Sequence, residues 1–199
     1  MRVSAILVVA LSMSIGTARA DDLKIGFITT FNFGPGQEQV NGFKLGLKNQ
    51  GWTKNGDKLG GRATVVDWCD DRRRPDIGVS CIKKMLQDGT QVVSGIMWSN
   101  ILMAVQRYVR RSQAILVATN AGTSPLAGAL CSKRFIWASW QNDAWAETTG
   151  KMAADDGVKR VVLIAPNYQG GKDQFKGFKR FYKGGKIVDE ILFKLGQTD

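Results

Sequence analysis

QVVSGIMWSNILMAVQRYVRRSQAILVA, residues 91–118, decides the fold. Gln91–Met97 is apolar and rich in β-branched side chains, the composition of a strand. Ser99 stands where an N-cap belongs, and a helix runs from it to about Arg111. Ala114–Ala118 is strand-like again. A strand, a helix of about three turns and a second strand form a βαβ unit, whose strands lie parallel and whose crossover is right-handed.

The alternation continues on both sides. Upstream, Lys24–Thr30 (KIGFITT) and Arg62–Trp68 (RATVVDW) read as strands. Gln37–Asn49 reads as a helix with Val40, Phe43 and Leu47 on one face. Pro75 opens a helix running to about Gln87, because the first turn needs no N–H there. Downstream, Phe135–Ser139 is a short strand, Ala144–Asp156 a helix, Arg160–Ala165 (RVVLIA) a strand, Gln169–Tyr182 a helix and Lys186–Phe193 a last strand. The class is α/β with a mostly parallel sheet.

Ligands of such sheets sit at the C-terminal strand ends, near helix N-termini. Five segments occupy those positions: Phe31–Gln37, Asp67–Arg74, Met97–Asn100, Asn120–Pro125 and Pro166–Gly171. All carry the small and polar residues that expose backbone N–H groups to an anion. Ser99 and Asn100, read as an N-cap and its neighbour, would offer a hydroxyl and free N–H groups to a carboxylate. Asn120-Ala-Gly-Thr-Ser-Pro125 offers a second such loop.

Other motifs yield less. Gly34-Pro-Gly36 follows a strand as a dinucleotide loop would, but Gln39 stands where the third glycine belongs. Cys69-Asp70-Asp71 with Arg72–Arg74 reads as a salt-bridged loop rather than a metal site. Phe175, Phe178 and Phe181/Tyr182 fall at helical spacing among lysines and Arg180, which gives one apolar face and one basic face. The chain has no histidine, which excludes Ser-His-Asp and Cys-His catalysis and takes away the usual zinc ligand. An enzyme working through Cys69, Asp70 and Asp71 would lack a base, so no catalytic role and no cofactor is assigned. Cys69, Cys81 and Cys131 allow three pairings, with one thiol left over.

The N-terminus carries an export signal. Arg2 is followed by an apolar run, Ala5–Ile15, and by Ala18-Arg19-Ala20, small residues at the two positions a signal peptidase reads. Cleavage is expected after Ala20. The run is too short for a stable membrane anchor, and no membrane insertion is expected. The net charge of +11 favours anionic solutes or an acidic partner. Nucleic acid is an unsuitable partner for an exported chain.

Taken in order, KIGFITT, GQEQVNGFKLGL, LGGRATVVDWCDD, RPDIGVSCIKKML, VVSGIMWSNILMA, NAGTSPLAG, SWQND and RVVLIAPNYQGGKD resemble the type I periplasmic solute-binding proteins of ABC importers, of the leucine/isoleucine/valine-binding kind. The resemblance implies two Rossmann-like lobes that close on a ligand. It assigns the leader to 1–20, the first lobe to 21–139, and the first crossover with a partial second lobe to 140–199. It implies that Ser99 binds the ligand carboxylate with Asn100 beside it. Ala121, Gly122 and Thr123 would form the second carboxylate loop, and Tyr168 the aromatic that lies over the ligand. Phe31 and Phe33 stand in a shortened first loop that usually carries another aromatic. Implied partners are a small carboxylate ligand, a branched-chain or other amino acid first with an aromatic carboxylate as the alternative, and an ABC transporter permease, and the implied compartment is the periplasm. A ligand-sensing module on the same fold is the alternative role. Relatives of this kind are about twice as long, so the second lobe is expected to be incomplete and to lack the acidic partner of an amino acid's ammonium group. Its open sheet edge is an aggregation risk.

Overall fold

The structure is a computed structural model and describes residues 22–195. The expected leader and the expected cleavage site after Ala20 lie outside the described residues. Among the described residues, eight strands and six helices follow one another: β1 Leu23–Thr29, α1 Gly34–Asn49, β2 Lys58–Leu59, β3 Arg62–Asp70, α2 Pro75–Gln87, β4 Val92–Gly95, α3 Ser99–Arg110, β5 Ile115–Ala118, α4 Ser124–Ala127, β6 Phe135–Trp137, α5 Asn142–Asp155, β7 Arg160–Pro166, α6 Gln169–Phe181 and β8 Lys186–Phe193. They build a six-stranded sheet in the order β2-β3-β1-β4-β5-β6 and a two-stranded sheet, β7-β8. Every pairing is parallel except β2 with β3.

In the six-stranded unit the pleat sends alternate side chains to opposite faces. Ile25 and Phe27 of β1 pack with Val66 of β3 against Val40 and Leu47 of α1. On the other face Ile28, Val93 and Leu116 meet Ile82 and Met85 of α2 and Ile101, Leu102 and Val105 of α3. Helices on both faces explain why these strands read as near-continuous apolar runs.

The two-stranded unit has a core on one face only. Leu163 and Ala165 of β7 pack under Phe175, Phe178 and Tyr182. Phe178 and Tyr182 face inward while Phe181 stays exposed, so the helical spacing read from the sequence holds with Tyr182 as its last apolar position. The opposite face presents Val162, Ile164 and Ile191 to solvent.

Several boundaries differ from expectation for local reasons. α1 starts at Gly34 rather than Gln37 because Pro35 sits in its first turn. β4 stops at Gly95 rather than Met97, since Gly95 (φ 94°) and Ile96 (φ 62°) turn left-handed. β2 is an addition: Gly60 and Gly61 (φ 55° and 82°) close a tight hairpin onto β3, and a Gly-Gly pair between short runs was its available signal. α4 is a single turn, too short to show periodicity. Cys69 pairs with Cys81, and Cys131 is free and exposed.

Candidate functional site

The strand order reverses at β1 and β4, and the chain leaves their C-terminal ends in opposite directions. That divergence opens the crevice in which open α/β sheets bind ligands. Phe33 follows β1 and Trp98 follows β4, and their rings lie 5.1 Å apart across the crevice. Tyr168, which follows β7, meets Trp98 edge to face with ring centres 6.1 Å apart. A row of three aromatic rings thus runs from the six-stranded unit to the two-stranded one. The Arg73 guanidinium lies 4.5 Å from the Phe33 ring centre and 5.7 Å from that of Trp98.

The backbone is shaped to deliver these groups. Ile96 is β-branched and fully buried at positive φ, a conformation that costs energy unless its surroundings enforce it. Its N–H donates to Ile28 O at 2.6 Å and its carbonyl accepts from Ala121 N–H, so β1, β4 and the 120–125 loop hold it there. Arg72 and Arg73 also have positive φ. Asp70 Oδ1 accepts from Arg72 N–H and Asp71 Oδ1 from Arg73 N–H, which stabilises that turn.

The salt-bridged loop expected at residues 69–74 is therefore corrected. Asp70 and Asp71 hold backbone N–H groups and the Thr30 hydroxyl, because both point back into the turn. Arg74 pairs instead with Asp76 at the start of α2. Thr30 in turn accepts from the Trp98 indole N–H at 2.9 Å, which fixes that ring. Burial raises the Asp71 carboxyl above its ordinary value and outweighs the hydrogen bonds from Thr30 and Arg73.

Ser99 is also corrected in detail. Trp98 is the N-cap and Ser99 the first helical residue, so the Ser99 side chain does not cap α3. No side chain caps this helix, and its first-turn N–H groups are free of the usual intrahelical partners. Ser99 is 3% exposed, and its Oγ accepts from Asn142 Nδ2 at 2.9 Å. Asn100 Oδ1 is a buried oxygen without a partner.

Thr123 is wholly buried and its Oγ1 has no partner. Ala121 is held by its N–H, and the Gly122 carbonyl accepts from Asn142 N–H at 2.7 Å. Gly122 packs so closely under the Trp140 carbonyl that a Cβ there would overlap it. Tyr168 occupies the N-cap position of α6 without a side-chain capping bond and is half-buried, and burial followed by the nearby Asp173 charge raises its phenol above the ordinary value.

Sequence reasoning missed Trp98, Asn142, Asp173 and Arg73. Asp173 Oδ2 accepts from Ser124 N–H at 3.2 Å and from Asn142 Nδ2 at 3.0 Å, and Oδ1 accepts from Gln169 Nε2 at 2.8 Å. Asn142 lay at the head of a helix assigned to start two residues later, and Asp173 at the first turns of α6 carried no motif. Gln39, which broke the dinucleotide pattern, accepts from Thr29 and donates to Thr119, tying α1 to the ends of β1 and β5.

Residues 22–199 match the model of the periplasmic binding protein family. The chain belongs to that family. Its curated relatives include Leu/Ile/Val-binding protein homolog 6 of Brucella abortus, 26% identical over 94% of this chain and 48% of that protein. The chain thus spans about half the length of the curated relatives it matches. Among solved structures, an ABC-transporter solute-binding protein of Rhodopseudomonas palustris in complex with 3,4-dihydroxybenzoic acid superposes with a TM-score of 0.77 at 25% identity, over 90% of this chain and 49% of that one. A leucine-binding protein of Thermotoga maritima shares the fold with a TM-score of 0.75 at 16% identity, over 89% of this chain and 50% of its own. The two solved proteins are a solute-binding and a leucine-binding protein. Among the described residues of this family member, no helix is long and apolar enough to cross a membrane.

Proposed function

We propose that this chain forms the ligand-capturing part of the periplasmic solute-binding component of an ABC importer, and that it takes a small carboxylate. The observation that carries this reading is Thr123. A fully buried hydroxyl without a partner costs stability, and it lies on the loop hydrogen-bonded to the Ser99 side of the crevice. With the uncapped N-terminus of α3 it forms a donor set suited to an anion. Ser99, Asn100, Ala121, Gly122 and Thr123 would surround the carboxylate, with Tyr168 closing over the ligand. Gly122 serves by allowing the crossover to pass close, since its carbonyl is already engaged.

The row Phe33–Trp98–Tyr168 favours an aromatic acid as the ligand. Branched-chain amino acids are the competing class, in keeping with the name of the Brucella relative. Export through the leader, delivery to a permease and a periplasmic location complete the proposal. Titration calorimetry with L-leucine and sodium benzoate tests it. Binding of either with a Kd in the micromolar range or tighter supports the carboxylate pocket, and no heat with both refutes it.

A further inference from the structure

Asp173 belongs to α6 of the two-stranded unit, is 3% exposed, and reaches out of that unit to Ser124 at the head of α4. Its link to Asn142 carries the inference. The Asn142 amide nitrogen donates to two acceptors, Ser99 Oγ and Asp173 Oδ2. A carboxylate only accepts hydrogen bonds. Asp173 therefore selects the NH2 end of the Asn142 amide and rejects the flipped orientation, in which Oδ1 would face it. With the NH2 end toward Ser99, the serine oxygen accepts, and its hydroxyl hydrogen is left to donate elsewhere. In the flipped orientation the amide oxygen would draw that hydrogen to itself. Gln169 Nε2 and Ser124 N–H hold the Asp173 carboxylate in place.

We propose that Asp173 is a positioning residue for ligand capture: through Asn142, it directs the Ser99 hydroxyl toward the ligand carboxylate. The proposal rests on Ser99 as a carboxylate contact. It also makes the docking of α6 onto the six-stranded unit a condition for a correctly aimed Ser99, so the position of one unit is read by a ligand group on the other.

The test is a double-mutant cycle on the full chain, with affinity for sodium benzoate and L-leucine read by titration calorimetry. Asp173→Leu is expected to weaken binding about tenfold when Ser99 is present, and to change nothing further in a Ser99→Ala background. Asp173→Asn is expected to stay within about twofold of the parent. Its one amide oxygen can accept from both Asn142 and Ser124, while Gln169 turns its own oxygen to the new NH2. If Asp173→Leu does not fold, Asn142→Leu breaks the same link and carries the same expectation. Equal losses in both backgrounds, or full affinity in the Leu variants, overturn the positioning role while leaving the pocket standing. Failure of the unsubstituted chain to bind either probe overturns the pocket, and the positioning role with it.

Discussion

The Trp98 indole and the Tyr168 phenol meet edge to face at 6.1 Å, and they follow strands of different sheets. Trp98 is fixed by its hydrogen bond to Thr30, while Tyr168 sits at the start of α6. In the proposed pocket, a flat ligand would exchange ring contacts with both. Tyr168→Ala is therefore expected to weaken benzoate binding about two- to tenfold more than leucine binding, since an aromatic pair adds about 0.5–1.5 kcal/mol beyond simple burial. Equal losses for the two ligands, measured by calorimetry, would contradict an aromatic wall.

Thr123 separates binding from stability. Its hydroxyl is buried without a partner, and Thr123→Val replaces it with a methyl of nearly the same shape. Relief of the buried hydroxyl is expected to raise stability by about 1 kcal/mol. The same change removes a donor from the proposed carboxylate pocket, so affinity is expected to fall. Thermal melting and calorimetry on one sample check both. A variant that melts lower and binds normally would show Thr123 to be purely structural.

Asp71 gives the stability a pH dependence of known sign. Burial raises its native pKa, so the folded chain holds this proton more tightly than the unfolded chain does. Stability is then lost as pH rises from the unfolded value, about 3.9, through the raised native one. Asp71→Asn keeps an oxygen for Thr30 and Arg73 and removes that loss. The melting-temperature advantage of the variant is expected to be near zero at pH 3.5 and to grow toward neutral pH. A constant difference across that range would show that ionisation of Asp71 is not its source.

The Cys69–Cys81 bridge closes a loop between the end of β3 and the middle of α2, with a sequence separation of 12. Restricting an unfolded loop of that length is worth about 3 kcal/mol. Reduction, or a Cys69→Ala/Cys81→Ala pair, is expected to lower stability by roughly that amount in urea unfolding. Cys131 is exposed and free, and should react with a thiol reagent in the native protein while the other two do not.

Gly177 faces the head of α5, and a methyl there would overlap the Asp143 carbonyl. The absence of a side chain lets α5 and α6 approach closely enough for the Arg180–Asp143 pair, 3.1 Å long, to form. Gly177→Ala gains helix propensity of about 1 kcal/mol but forces backbone apart, at a cost of about 1–3 kcal/mol. Net destabilisation is expected, together with weaker binding, because α6 carries Asp173 and is preceded directly by Tyr168. A stabilised variant in thermal melting would show that the helices have room to move.

Strand and helix order, the α/β class and the segments at the C-terminal strand ends were legible because they depend on local pattern. QVVSGIMWSNILMAVQRYVRRSQAILVA shows its strand, helix and strand through period and composition alone. What remained hidden depended on distance in the chain. Ser99 and Asn142 are 43 residues apart, and Asn142 and Asp173 are 31 apart. No periodicity relates such positions, and only the packed sheet and its crossover bring them within 3 Å. The turn at residues 69–74 was misread for the same reason. Its two acids stand directly before three arginines, as in an ion-pair cluster, while the backbone N–H groups that Asp70 and Asp71 accept from become visible only once Arg72 and Arg73 take positive φ.

The sequence by itself determined the two kinds of element, the absence of histidine chemistry and the family resemblance, since each is written in residue identity and spacing. Only the tertiary structure decided that Cys69 bonds Cys81, that Trp98 rather than Ser99 caps α3, and that Asp173 reaches Ser99 through Asn142. The physical reason is that hydrogen bonds and disulfides form at contact distance, and contact between distant segments is set by how the whole core packs.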